Sequence, residues 1–180
     1  MIQNITSAFY KEVLNMGLKT SKILKIIDTV KTLIEQNISI NYRYEPVNQS
    51  HMITLLCSAN GAEVGYFMIG KNIHTLTMNI SVDDEYQNMG LSRIMIASMI
   101  LYLVTEPTPQ HIRKDQLLFI DTDASWRNGN SFWDHIGMTE CRFYKLERES
   151  IRKMPFDGAG YEKKITFQEL SIWTFGTNLI

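Results

Sequence analysis

The run Val82-Asp83-Asp84-Glu85-Tyr86-Gln87-Asn88-Met89-Gly90-Leu91-Ser92-Arg93 is the segment of this chain whose residue types are best suited to chemistry. It follows a strand-like stretch, Ile73 to Val82, and opens a long amphipathic stretch that reads as helix. A turn feeding a helix N-terminus presents N–H groups that no carbonyl within the helix accepts, at the positive end of the helix dipole. Phosphate oxygens bind well there. Gly90, inside the turn, lets the backbone approach a ligand with no Cβ in between. The residues alone therefore predict a pyrophosphate held mainly by main-chain amides. The plainer alternative is a strand–turn–helix in which Gly90 only eases packing.

Other side chains that could act chemically are scattered. His74 lies near a strand start, Asn79 lies within that strand, and Asp121 and Asp123 fall at the carboxyl end of a short apolar strand. The carboxyl ends of strands are favoured sites in α/β sheets. Solvated histidine and turn-capping aspartates are the plainer readings. Asp83 and Glu85 would oppose a phosphate, and His135 is expected on an exposed helix face. Cys57 and Cys141 lie far apart with no evident His partner, so buried thiols are expected rather than a nucleophile or a disulfide framework. The sequence contains no metal-ligand spacing, nucleophile elbow or Walker loop.

The elements that would position these groups follow from periodicity. Thr6 and Ser7 can cap a helix carrying Phe9, Val13 and Leu14, which Gly17 stops. Thr20 and Ser21 open a second, with Ile23, Leu24, Ile27, Val30 and Ile34 expected on one buried face. From Ile38 the period becomes two, until Pro46. Met52 to Ala59 and Glu63 to Ile69 read as a hairpin about Asn60-Gly61. His74 to Val82 alternates cleanly. A helix from Ser92 to Val104 is stopped by Pro107 and Pro109. Leu117 to Thr122 is a nearly all-apolar strand, expected to lie parallel to the strand before the helix. A helix near Asn128 to Ile136 ends at Gly137. Glu140 to Leu146 and Ile165 to Trp173 are expected as closing strands. The fold class expected is mixed α/β: a mostly antiparallel twisted sheet with one parallel pair, flanked by helices, in a single domain over 1–180 with a helical part at 1–37.

Val82 to Arg93 resembles the acetyl-CoA-binding motif of the GNAT family of N-acetyltransferases, Gln/Arg-x-x-Gly-x-Gly/Ala at the start of a helix. Here it reads Gln87-x-x-Gly90-x-Ser92, after Glu85-Tyr86. A second stretch, Ser131-Phe132-Trp133-Asp134-His135-Ile136-Gly137-Met138, resembles the family's later motif of an aromatic–Tyr pair before Gly-Phe. The resemblance covers 52–146. It implies that Gln87, Asn88, Met89, Gly90, Leu91, Ser92 and Arg93 hold the CoA phosphates and that the backbone of Ile80 and Val82 pairs with pantetheine. It also implies acetyl-CoA as cosubstrate and an amine acceptor, small molecule or protein. Departures are chemical. Trp133 stands where a Tyr commonly protonates the leaving thiolate, and an indole N–H has no proton to give at neutral pH. Trp133 is expected instead as a core or CoA-stacking aromatic. Leu76 stands where the family often supplies a Glu base, which leaves His74, Asn79 through a water, and Asp121 or Asp123 as base candidates. The family places a strand before its first two helices, so either Met1 to Ile5 forms a small strand or the N-terminus is rearranged.

Bulk properties narrow the classes. The chain has 180 residues, 44% hydrophobic and 21% charged, with a formal net charge of −1, as in a soluble globular domain without broad nucleic-acid binding. No run suits a signal peptide or a membrane span, so a cytoplasmic monomer or homodimer is expected. The competing functions are direct acetyl transfer in a ternary complex, a catalytically weakened CoA-binding or interaction domain on the same scaffold, and a transferase using another acyl donor. The segment 153–164 is open to two readings, a loop over the acceptor cleft or a surface turn.

Overall fold

In the computed structural model of the chain, the described residues are 2–4, 6–47, 50–71, 76–105, 117–121, 130–140 and 161–179. Their order is β1 (Ile2–Asn4), α1 (Thr6–Asn15), α2 (Ser21–Glu35), β2 (Ile38–Val47), β3 (Ser50–Ala59), β4 (Ala62–Lys71), β5 (Leu76–Val82), a 3-10 turn (Asp84–Tyr86) and α3 (Leu91–Thr105). After these come β6 (Leu117–Asp121), α4 (Asn130–His135), β7 (Thr139–Glu140), β8 (Tyr161–Thr166) and α5 (Phe167–Phe175). The fold is mixed α/β. The described strands form one eight-stranded sheet in the order β1-β2-β3-β4-β5-β6-β8-β7. β5 and β6 are parallel, as the crossover helix between them requires, and the other pairings are antiparallel.

Register puts the apolar strand residues on one face. Ile69 pairs with Met78, Met78 with Ile120, and Leu118 with Ile165, and all of these are buried. Helices α1, α2, α3 and α5 pack over that face and against one another. α3 is the central helix: Ile94, Met95, Ile96, Ala97, Ser98 and Met99 are consecutive and all buried, which places protein on every side of it. No described helix is long and apolar enough to cross a membrane.

The two alternatives for the N-terminus are resolved. Ile2–Asn4 is a short strand antiparallel to β2, and the Thr6 hydroxyl accepts the Ile40 N–H at 2.7 Å, pinning the start of α1 to the sheet. Asn60 (φ 50°) and Gly61 (φ 84°) form the predicted hairpin turn between β3 and β4, with left-handed dihedrals matching the strand twist.

Two expectations are corrected. On α2 the buried stripe is Ile23, Ile26, Val30 and Leu33, while Leu24 and Ile34 are 50% and 44% exposed. Several apolar residues on α2 permit more than one stripe at helical spacing, and packing against α3 selects between them. Beyond Thr166, the expected Ile165–Trp173 strand is helix α5. Thr166 accepts from the Glu169 N–H, Glu169 reaches back to the Thr166 N–H, and Gly176 (φ 75°) closes the helix in a left-handed cap. A capping box and a glycine stop outweigh the strand preference of Ile172 and Trp173. Cys57 is buried on β3, and burial pushes its thiol pKa up to about 12. Tyr161 to Lys164, the end of the glycine-containing segment at 153–164, belongs to β8; its residues 153–160 lie outside the described residues, as do Glu140–Leu146 beyond Glu140.

Candidate functional site

The site is built at the carboxyl end of β5. Among the described residues the β5–β6 ladder runs to Met78 opposite Ile120, and β5 itself continues through Val82. On its other side β5 stays paired with β4 to Val82, opposite Gly65. The Asp83 N–H bonds the Val64 carbonyl at 3.0 Å. Hydrogen-bonding direction alternates along an antiparallel ladder. The main-chain groups of Asn79, Ser81 and Asp83 thus turn toward β4, and those of Ile80 and Val82 toward the β6 side. Among the described residues no strand pairs with Ile80 or Val82 on that side.

β4 is shaped for this end of β5. Cys57 pairs with Gly65 and Ser58 with Glu63, so Val64 is the extra residue of a bulge, a feature that increases local twist. Gly65 lies so close under β5 that a Cβ there would sit 2.8 Å from the Ser81 carbonyl oxygen.

The chain then turns through the 3-10 segment into α3. Gln87 donates from Nε2 to the Val82 carbonyl (3.2 Å) and to Asp84 Oδ1 (2.7 Å), and its backbone N–H donates to the Asp84 carbonyl at 3.3 Å; Gln87 braces the loop. Asn88 (φ 65°) and Gly90 (φ 83°) are left-handed, and Gln87, Asn88 and Gly90 are exposed. The Gly90 carbonyl accepts the Ile94 N–H at 3.1 Å. The N–H groups of Leu91, Ser92 and Arg93 are therefore the first-turn donors of α3, with no carbonyl a full turn earlier in the helix to accept them. The loop rests on α2: a Cβ on Gly90 would lie 3.1 Å from Thr29 Cγ2. A groove of about 630 Å3 runs from Met89 along α2, past Lys25, Asp28, Thr29 and Thr32.

Positive charge gathers at the same helix end. The Arg93 guanidinium lies 4.5 Å from the centre of the Trp173 ring. Lys22, from the first turn of α2, donates to the carbonyls of Trp173 (2.7 Å) and Ile172 (3.4 Å). Partial burial, and then the neighbouring Arg93 charge, lower the Lys22 pKa; partial burial also lowers that of Arg93. His135 meets the Trp173 ring edge-on, with centroids 5.9 Å apart. Lys22 and Trp173 were not singled out from the sequence. Nothing local marks them, because the cluster draws on four helices remote in the chain.

The catalytic candidates are less gathered. Asn79 is half-buried and, opposite Met68, on the sheet face away from the helices. Asp121 ends β6, with its backbone opposite Tyr161. His74 and Asp123 lie outside the described residues. Trp133 is 2% exposed and stands edge-on to Phe132 at 5.0 Å, so the core half of its expected role describes it. His135 is exposed, as expected. Beside Trp133, Asp134 pairs with Lys163 of β8, whose side chain is 9% exposed against 63% for Asp134. Among the described residues no group of His, Cys, Asp and Glu could hold a metal ion.

No protein-family model matches this sequence, and no curated protein matches it significantly. Solved structures of N-acetyltransferases do match. The ribosomal-protein-S18-alanine N-acetyltransferase of Escherichia coli shares 18% identity over 75% of this chain and 72% of its own, with a TM-score of 0.39. A protein described as a GNAT-family acetyltransferase from Desulfovibrio desulfuricans shares 14% over 92% and 98%, at 0.41. The PaiA N-acetyltransferase of Thermoplasma acidophilum, solved with coenzyme A, shares 8% over 93% and 99%, at 0.40. Likenesses at these identities and scores assign neither family nor activity to the chain.

Proposed function

We propose that this chain binds acetyl-CoA and passes its acetyl group directly to an amine within a ternary complex. The observation that carries the reading is the end of β5 at Ile80 and Val82, unpaired on the β6 side among the described residues, which leads through the 3-10 turn to the Gln87–Gly90 loop and the first turn of α3. An extended amide-bearing arm fits the first, and a pyrophosphate fits the second. Acetyl-CoA, when bound, supplies an activated thioester. The chain's own part is to fix the arm by backbone pairing at Ile80 and Val82 and to hold phosphate on the amides of Asn88 to Arg93. Orientation of this kind supplies much of the acceleration available to acyl transfer. Removal of the amine proton falls to a water held by the Asn79 side chain, to Asp121 or to His74.

A second reading, a CoA-binding domain with weak catalysis, is favoured by Trp133, which is buried and lacks a transferable proton at the place where a general acid is common. Calorimetry with acetyl-CoA, followed by mass spectrometry against a panel of amines, separates the two. Binding with acetylated product supports transfer, binding without product on any amine supports the second, and absence of binding rejects both.

A further inference from the structure

We propose that Lys22 and Arg93 form a seat for a phosphate monoester carried by the ligand whose pyrophosphate lies against Asn88 to Arg93, which in coenzyme A is the 3′-phosphate. This rests on the CoA reading above. The two cations come from different helices, α2 and α3, and converge at the residues that end α5. An ammonium has three N–H donors. For Lys22, the Trp173 and Ile172 carbonyls take up two, leaving one for an anion. The Arg93 guanidinium lies over the Trp173 ring, which orients it while leaving its in-plane donor edges for oxygen atoms. No carboxylate among the described residues pairs with either group.

Partial burial disfavours both charges and lowers both pKa values, and at Lys22 the neighbouring Arg93 charge adds to that cost. An arriving dianion reverses that sign, and charge-assisted bonds to it are short and strong. Arg93 is the third residue of α3, so its side chain springs from the turn whose amides face the pyrophosphate. Coenzyme A carries both phosphate groups in one molecule. If Lys22 only capped the C-terminal carbonyls of α5, the chain would treat CoA and its dephosphorylated form alike.

The test is titration calorimetry of the full chain with CoA and with 3′-dephospho-CoA, at two salt concentrations, for wild type, Lys22→Gln and Arg93→Gln. Glutamine at 22 keeps an amide donor for the α5 carbonyls, and thermal denaturation checks that each variant is folded. The expected result is a preference of about tenfold or more for CoA, shrinking with salt. That preference should collapse in Lys22→Gln, with dephospho-CoA affinity unchanged. Equal affinity of the wild type for the two ligands, or a preference that survives in Lys22→Gln, overturns the seat and leaves the CoA reading standing. If neither ligand binds the wild type, the CoA reading fails, and the seat fails with it.

Discussion

Replacing Gly90 by alanine separates the backbone demand of the loop from its packing. Gly90 has φ 83°, and a Cβ there would approach Thr29 Cγ2 to 3.1 Å. Holding alanine in the left-handed region costs about 1–2 kcal/mol, and relieving a contact of that length adds about 0.5–1 kcal/mol. The sum, about 2 kcal/mol, lowers Tm by roughly 4–8 °C for a chain of this size. The two parts can be told apart, because Thr29→Ser deletes Cγ2 and leaves the hydroxyl that donates to the Lys25 carbonyl at 2.8 Å. Gly90→Ala in the Thr29→Ser background should therefore recover the smaller part only. Denaturant titration of the four proteins gives the cycle. CoA affinity measured on the same samples should fall with Gly90→Ala in both backgrounds, since the turn that aims the amides is altered either way. A Gly90→Ala change below about 0.5 kcal/mol would refute the conformational argument. Complete rescue by Thr29→Ser would show that packing alone accounts for the cost.

Three further outcomes are expected. Thr166→Ala removes the side-chain cap of α5 and should cost about 1 kcal/mol in denaturant titration at neutral pH. Hydrogen bonds from the Thr166 side chain and backbone hold the Glu169 carboxyl pKa below its ordinary value. Its contribution is thus full above about pH 4.3 and is lost as pH falls through the lower folded value, so the gap between wild type and Thr166→Ala should narrow in strong acid to the part carried by the Glu169 N–H bond to Thr166 Oγ1. Asp134→Ala leaves the Lys163 ammonium, 9% exposed in its side chain, without its partner, and should destabilise by about 1–2 kcal/mol. Adding Lys163→Met should recover the loss, because an apolar side chain of similar length needs no counter-ion there; an additive double variant would overturn that account. Cys57, with its thiol pKa pushed up to about 12 by burial, should stay unmodified by iodoacetamide at pH 8 in the native chain and react on unfolding, as read by peptide mapping.

Much of the sheet was legible because its signals are local. Alternation and apolar runs set β2 to β5, Asn60-Gly61 fixed the hairpin, and the helix between β5 and the next strand was legible as a crossover, which in turn required β5 and β6 to be parallel, although its burial on every side was not. The loop at Gln87 to Gly90 was legible for the same reason: a glycine between a strand and a helix start leaves a pattern within a few residues. The closing helix was misread because Ile165 to Trp173 is rich in strand-preferring residues, while its determinants lie at the ends, in Thr166, Glu169 and Gly176. The strand Ile2–Asn4 is too short for periodicity to define and exists because β2 offers it an edge.

The sequence by itself determined the strand–turn–helix at Val82–Arg93, since hydrogen-bonding pattern and backbone conformation there are dictated by neighbours in the chain. Only the tertiary structure decided what surrounds it. Gln87 is engaged with the Val82 carbonyl and Asp84, Ile80 and Val82 lie beyond the last described β5–β6 pair, and Lys22 joins Arg93 beside Trp173. These depend on register between strands and on which helix faces are buried together. Both are set by how the apolar faces fit against one another in the folded chain, a quantity that no single segment contains.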